Sequence, residues 1–172
     1  MEVISCLSEM QKSSLQWERE GKKIGFVPTM GSLHQGHLSL IDLVRDQSDL
    51  VILSIFVNPT QFAEGEDLEK YPRDLERDLQ LCKEHEVDYV FTPRMEDIYK
   101  QNASTYIVEK SVSEKLCGQF RPSHFKGVTT ICAKLFNLCR PTFVALGQKD
   151  AQQVSVLKRM IEDLHFRIEV IV

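Results

Sequence analysis

The sequence predicts an α/β fold built on a doubly wound parallel sheet, and two observations predict it. Apolar, β-branched runs alternate with amphipathic helical patterns along the chain. One run, LVILSIFV at residues 50–57, is almost unbroken, as expected for a central strand buried on both faces. Two long irregular stretches, residues 58–74 and 116–127, interrupt the alternation, and stretches of this kind in a compact domain are usually functional.

The elements follow in a regular order, with a helical pattern first and repeated strand–helix units after it. Strands are predicted at residues 22–28, 50–57, 87–93, 142–147 and 166–172. Helices are predicted at residues 37–48, 74–86, 126–141 and 150–164, the third of them stopped by Pro141. Ligand sites in such sheets lie beyond the carboxyl ends of the strands. The chain stops at Val172 on a strand pattern, so we expect a longer parent protein.

Bulk properties limit the function. At 172 residues the chain fits one globular domain. Its formal net charge is −4, and its 21 basic and 25 acidic residues form no basic stripe, so we expect no nucleic-acid partner. The N-terminus lacks a basic start followed by an apolar run, and no stretch approaches a membrane span. We therefore expect a cytoplasmic protein with no membrane partner.

The five cysteines favour the same compartment. Their number is odd, their spacing does not fit a zinc site, and most lie in apolar helical patterns. We expect reduced core thiols.

The turn after the first predicted strand carries the strongest chemical signal, in VPTMGSLHQGHLSL at residues 27–40. A helix start has unpaired backbone amides that attract anions, and Gly31 and Gly36 would let the backbone approach a phosphate. His34 and His37 lie three residues apart, so we expect them on one helical face, donating hydrogen bonds to that phosphate. The alternatives are a capping turn with two solvated histidines, or a metal pair, for which no third ligand lies nearby in sequence.

Five segments in a fixed order point to one family. They are PTMGSLHQGH (28–37), SIFVNPTQF (54–62), DLEKYPR (67–73), RPSHFKGV (121–128) and GQKDAQQ (147–153). With them the chain resembles the pantothenate synthetase (pantoate–β-alanine ligase) family from about Lys23 to its end. The H-x-G-H segment alone indicates only the wider nucleotidyltransferase superfamily. Without the resemblance, the residues predict a phosphate-binding α/β enzyme and no more.

The resemblance implies a Rossmann-like domain, residues 1–172, that binds nucleotide and pantoate, with the family's C-terminal lid domain absent from this chain. It implies ATP as co-substrate, Mg²⁺, and the condensation of pantoate with β-alanine through pantoyl adenylate, releasing AMP and pyrophosphate. It also implies a homodimer. Because the lid is absent, we expect the isolated chain to be inactive or weakly active.

The resemblance also assigns residues. His37 first and His34 second are the implied catalytic residues. The implied ATP-binding residues are Met30, Gly31, Ser32, Leu33, His34, Gln35, Gly36, His37, Gly147, Gln148, Lys149 and Asp150. Gln61 and Gln153 are the implied pantoate contacts, with β-alanine close to Gln61. Residues that line or border the pocket are Asn58, Tyr71, Arg121 and His124.

Several of these roles have structural alternatives. Asp150 could accept from ribose hydroxyls, cap the following helix, or do both. Arg121 and His124 could serve only the structure of their loop. Ser32 stands where the family commonly has Ala, and Ala151 where it commonly has an aromatic residue, which removes packing beside Gln153. Two other functions stay open: another H-x-G-H nucleotidyltransferase, and a binding or dimerisation fragment without catalysis.

Overall fold

The structure is a computed structural model of the chain, described for residues 1–62 and 68–172. Within these residues six strands form one parallel sheet in the order β1-β4-β3-β2-β5-β6. The strands are β1 (Glu2–Ile4), β2 (Ile24–Thr29), β3 (Leu50–Ile55), β4 (Tyr89–Phe91), β5 (Phe143–Ala145) and β6 (Glu169–Ile171). The helices are α1 (Leu7–Arg19), α2 (Gln35–Arg45), α3 (Leu75–Glu84), α4 (Met95–Ile98), α5 (Cys117–Phe120), α6 (His124–Cys139) and α7 (Ala151–Asp163). The α/β, Rossmann-like fold is confirmed.

Successive side chains of each strand point to opposite faces of the sheet, so both faces carry apolar residues. A layer of helices covers each face. On one face, Phe26 of β2 belongs to a buried cluster with Met10 of α1, Phe136 of α6 and Leu157 of α7. On the other face a second buried cluster joins the sheet to α2 and α3 through Val27, Ile41, Val44, Leu53 and Cys82. Residues Leu50–Ser54 of β3 are all buried, as predicted for a central strand.

The expectation that a helix comes first is wrong, since β1 precedes α1 and pairs with β4 at the edge of the sheet. Four predicted strands extend past the observed ones: β3 ends at Ile55, β4 and β5 have three residues each, and β6 covers only Glu169–Ile171. The irregular stretches are also shorter than predicted. A 3₁₀ turn, Pro59–Gln61, lies in the first, and α5 and the start of α6 lie in the second. Residues 63–67, including the first residue of the DLEKYPR segment, lie outside the described residues.

All five thiols are free, but the expectation that they lie in the core holds for only three. Cys82, Cys132 and Cys139 are buried, whereas Cys6 and Cys117 are exposed. Burial raises the pKa of Cys82 and of Cys132 to about 12. Among the described helices, none is both long and apolar enough to cross a bilayer.

Candidate active site

The turn after β2 is shaped by two residues with positive φ and one buried carboxylate. Gly31 has φ +82° and Ser32 has φ +54°. The side chain of Asp78, on α3, is almost fully enclosed, with 2% of the residue exposed. Its two oxygens accept hydrogen bonds from the backbone amides of Ser32, at 2.8 Å, and Leu33, at 2.7 Å. A Cβ on Gly31 would lie 2.9 Å from Asp78 Oδ2, so the turn fits against the carboxylate only without a side chain.

Asp78 corrects part of the argument for an anion site. The sequence predicted that amides at this turn are unpaired and available to a phosphate, but those of Ser32 and Leu33 are already bonded to a carboxylate. A glycine at position 31 is explained by the turn and by Asp78. Nothing local in the sequence indicates the role of Asp78, because its partners lie 45 and 46 residues away along the chain.

The two histidines lie together, although not through the helical repeat that the sequence predicted. His34 is the N-cap of α2 and has extended backbone angles, so only His37 lies within the helix. Their ring centroids are 4.1 Å apart with the planes 34° apart. Nδ1 of His34 accepts a hydrogen bond from the amide of Gly36, at 3.1 Å, which leaves the proton of the neutral ring on Nε2. A Cβ on Gly36 would lie 3.0 Å from that ring.

His37 is held as a neutral imidazole. Burial lowers its pKa below the ordinary value of 6.5, and His34 and Lys149 add to the shift, while Asp78 and Asp150 oppose it. Its Nδ1 is buried and has no hydrogen-bond partner among the described residues. A neutral ring offers one N–H donor and one acceptor, which suits hydrogen bonding better than delivery of a proton at neutral pH.

A cleft of about 410 Å³ opens at the carboxyl ends of β2, β3 and β5. It lies where the chain order of the sheet reverses around β2, the usual position for a ligand in this architecture. The predicted residues that line it are Met30, His34, Gly36, His37, Asn58, Gln61, Tyr71, Gly147, Lys149, Asp150 and Gln153. Val128, at the end of the RPSHFKGV segment, also lines the cleft, so the fold brings together residues from all five sequence segments.

Other predicted residues do not line this cleft. Gly31, Ser32 and Leu33 form the turn above Asp78, and Gln35 and Gln148 are exposed. Arg121 and His124 also lie off the lining. Nδ1 of His124 instead lies 3.0 Å from the backbone oxygen of Gln61, at hydrogen-bonding distance.

One wall of the cleft is apolar and was not predicted from the sequence. That wall includes Pro28, Leu40, Phe56, Val128, Ile131, Cys132, Leu135, Ala145, Leu146 and Leu157. Most come from α6 and from the ends of β2 and β5. The predicted helix at 126–141 has apolar residues at several faces, a pattern that could have indicated that one of them meets a ligand rather than the sheet.

The side of the cleft formed by the GQKDAQQ segment is open and charged. A Cβ on Gly147 would meet Leu40 Cδ1 at 4.0 Å and no other atom of residues 1–62 and 68–172 within that distance. Lys149 and Asp150 are exposed to the cleft. Asp150 occupies the N-cap position of α7, as predicted, but its side chain makes no capping hydrogen bond. Its carboxylate is therefore not committed to the helix.

Gln61 and Asn58 belong to a bonded network on the opposite side. Nδ2 of Asn58 donates to Oε1 of Gln61 at 3.1 Å and to the backbone oxygen of Gly127 at 3.2 Å. Oδ1 of Asn58 accepts from the hydroxyls of Thr60, at 3.0 Å, and Tyr99, at 2.9 Å. Nε2 of Gln61 donates to the sulfur of Met30 at 3.0 Å.

The turn that carries Gln61 rests directly on the backbone of α6. A Cβ on Gly127 would lie 2.6 Å from the carbonyl carbon and oxygen of Thr60 and 2.7 Å from the amide nitrogen of Gln61. Only a glycine permits this approach. Within the described residues, no group of three His, Cys, Asp or Glu side chains could hold a metal ion.

Comparison with known proteins shows the family of the chain. The sequence model described as pantoate-beta-alanine ligase matches residues 2–172. The chain belongs to this family. It is 52% identical over 172 residues to the pantothenate synthetase of Thermodesulfovibrio yellowstonii, and 52% identical over 169 residues to that of Thermosipho melanesiensis. The two matches include 100% and 98% of this chain, but only 61% and 60% of the respective relatives.

Solved structures of the ligase family match the same region. Pantothenate synthetase from Thermus thermophilus has a TM-score of 0.92 at 42% identity, covering 99% of this chain and 60% of that one. The pantoate-beta-alanine ligase from Francisella tularensis, complexed with beta-gamma ATP and beta-alanine, has a TM-score of 0.95 at 38% identity, covering 100% of this chain and 66% of that one. The chain thus spans about three fifths of the length of its relatives.

Proposed function

We propose that residues 1–172 form the N-terminal, nucleotide- and pantoate-binding domain of an enzyme that joins pantoate to β-alanine. One observation carries the proposal: residues from all five of the sequence segments that resemble the ligase family line one cleft at the carboxyl end of the sheet. The ligand named for the Francisella tularensis relative, an ATP compound with beta-alanine, supports ATP and β-alanine as substrates.

The proposed reaction has two steps. A carboxylate oxygen of pantoate bonds to the α-phosphorus of ATP, and the bond to pyrophosphate breaks. The β-alanine nitrogen then bonds to the acyl carbon and loses a proton, and AMP leaves with the electron pair of the broken bond. Both steps require aligned reactants and fixed donors for negative oxygen.

The two histidines supply such donors. His37, neutral because burial lowers its pKa, donates one hydrogen bond to phosphate oxygen without having to lose a proton. His34 donates from Nε2, because its Nδ1 already accepts from Gly36. Lys149 adds a mobile positive charge on the other side of the cleft, and Asp150, whose carboxylate does not cap α7, would accept hydrogen bonds from ribose hydroxyls. The turn from Met30 to His37 and the segment from Gly147 to Asp150 would enclose the nucleotide between them.

Gln61 and Gln153 are the proposed pantoate contacts, with β-alanine beside Gln61. Both line the cleft. Tyr71 also lines it, and burial raises the pKa of its phenol, which keeps the hydroxyl protonated and able to donate. Arg121 and His124 lie off the lining, so we propose that they act on the loop that borders the cleft.

Mg²⁺ would enter with the nucleotide. The described residues provide no cage of three metal-ligating side chains, and Mg²⁺ often needs only one or two carboxylates together with substrate phosphates. Asp150 is the exposed carboxylate of the cleft and fits that need. When bound, the ion would neutralise charge on the phosphate oxygens.

We further propose that the enzyme is a cytoplasmic homodimer. The isolated chain should have little or no turnover, because it spans about three fifths of the length of its relatives. Two measurements test the function. Titration calorimetry of the 172-residue chain should detect binding of ATP and of pantoate. His37→Ala should weaken ATP binding, and Gln61→Ala should weaken pantoate binding. A protein that extends this chain to the length of its relatives should form AMP only when ATP, pantoate and β-alanine are all present. AMP release that ignores pantoate would reject the proposal in favour of another H-x-G-H nucleotidyltransferase.

A further inference from the structure

Asn58 was predicted to line the pantoate pocket, but its bonds give it a different task. The residue is 1% exposed, and a carboxamide has two N–H donors and two acceptor lone pairs. Both donors are used, on Gly127 and Gln61, and both lone pairs are used, by Thr60 and Tyr99. Asn58 therefore has no bonding capacity left for a ligand.

The orientation of the Asn58 carboxamide is fixed by its neighbours. A backbone carbonyl can only accept, so the atom of Asn58 that lies 3.2 Å from the oxygen of Gly127 must be the nitrogen. The oxygen then faces the hydroxyls of Thr60 and Tyr99, both of which can donate. The reverse orientation would place two oxygens against each other inside the protein, which is costly for buried groups.

The orientation of the Asn58 carboxamide in turn fixes that of the Gln61 carboxamide. The second N–H of Asn58 meets the side chain of Gln61 at 3.1 Å, so the Gln61 atom there must be the oxygen. The NH₂ group of Gln61 is then the end directed to the cleft, where it donates to the sulfur of Met30 at 3.0 Å. A thioether is a weak acceptor, so a ligand oxygen can replace it readily.

We propose that Asn58, oriented by Gly127, Thr60 and Tyr99, is a positioning residue that makes Gln61 present hydrogen-bond donors to the cleft. Resting on the proposed function, the inference is that Gln61 holds an acceptor oxygen of pantoate. Gln61 thus selects for an acceptor, such as a carboxylate oxygen, at this place in the cleft.

Two variants test the chain of bonds. In Asn58→Asp the shape is kept, but an ionised carboxylate cannot donate, so Gln61 should turn its NH₂ group toward position 58 and its oxygen toward the cleft. In Asn58→Leu the volume is similar and the bonds to Gln61 and Gly127 are absent. The hydroxyls of Thr60 and Tyr99 lie 3.2 Å apart and can bond to each other, so this variant should fold. Asn137→Asp, on the exposed part of α6, is the matched control.

The first readout needs no ligand. In the 172-residue chain, nuclear Overhauser contacts should join the Gln61 side-chain NH₂ protons to the Met30 methyl group. They should disappear in Asn58→Asp, weaken in Asn58→Leu and persist in Asn137→Asp. Contacts that are missing in the unaltered chain, or unchanged in both position-58 variants, would overturn the inference.

The second readout is the dissociation constant for pantoate, measured by calorimetry. It should rise about tenfold in Asn58→Leu and further in Asn58→Asp, while that for ATP stays the same. An unchanged pantoate constant in both variants would overturn the inference. If the unaltered chain shows the predicted proton contacts but no pantoate binding, the proposed substrate fails and the orientation of Gln61 stands.

Discussion

Replacing Asp78 by asparagine should loosen the turn that carries the H-x-G-H segment. Asp78→Asn keeps the volume but replaces one of the two acceptor oxygens by NH₂, which then faces a backbone N–H of Ser32 or Leu33. Hydrogen bonds to charged groups contribute about 1.5 to 3 kcal/mol each, and one is lost while the other becomes neutral. With the carboxylate 2% exposed, solvent cannot replace it, so we expect the free energy of unfolding to fall by about 2 to 4 kcal/mol.

Urea unfolding at neutral pH, followed by circular dichroism, measures this change. Asp74→Asn is the matched control on the same helix: Asp74 is the exposed N-cap of α3 and accepts from the amide of Arg77 at 3.1 Å. Asparagine caps almost as well as aspartate, so this control should lose only a few tenths of a kcal/mol. If the free energy of unfolding of Asp78→Asn lies within about 0.5 kcal/mol of that of the unaltered chain, the carboxylate does not hold the turn and the reasoning is refuted.

The remaining predictions concern two glycines, one histidine and the thiols. Gly147→Val should leave unfolding unchanged but weaken ATP binding in calorimetry, since its side chain would enter empty cleft. Gly127→Ala should cost about 1 to 3 kcal/mol in urea unfolding, since its Cβ would meet the backbone of Thr60 at 2.6 Å. Unchanged stability in Gly127→Ala would contradict the second expectation, and lost stability in Gly147→Val would contradict the first. His37 should titrate below 6.5 by NMR because burial lowers its pKa. Above pH 6.5 the free energy of unfolding of the unaltered chain should therefore include the full contribution of neutral His37. That free energy should decrease as the pH falls from 6.5 to the folded-state pKa of His37, and it should decrease less in His37→Gln. A thiol reagent should modify two cysteines of the native chain, Cys6 and Cys117, and reach Cys82, Cys132 and Cys139 only after unfolding, as a thiol count with and without denaturant would show.

The sequence predicted the sheet class and most of its elements because each depends on local periodicity. A run such as LVILSIFV can be recognised without knowing its partners. β1 was missed because it has three residues, of which only Ile4 is buried, so it carries no periodic signal. The ends of β3 and β6 were overestimated because apolar residues continue beyond the hydrogen-bonded part of each strand.

The site was predicted through its segments, whereas the groups that support it were not. His34, His37, Gln61 and Lys149 were identified and line one cleft. Asp78 lies within the predicted helix 74–86 and was not singled out, since nothing local distinguishes a buried carboxylate from a solvated one. Such contacts between distant residues are set by tertiary packing.

Gly127 is an intermediate case. An isolated glycine inside a helical pattern costs about 1 kcal/mol relative to alanine and often has a packing reason. Its position in the predicted helix 126–141 was therefore a usable signal that another segment comes close. The sequence could not say which segment, and the structure identifies it as Pro59–Gln61.

The contact between Gly127 and the Pro59–Gln61 turn joins main chain to main chain, with no side chain between them. Side chains can change rotamer to absorb a small shift, but two backbones in contact cannot. A displacement at the first turns of α6 would therefore reach Gln61 at nearly full amplitude. Binding of a ligand against α6 would in this way be coupled to binding of a ligand at Gln61.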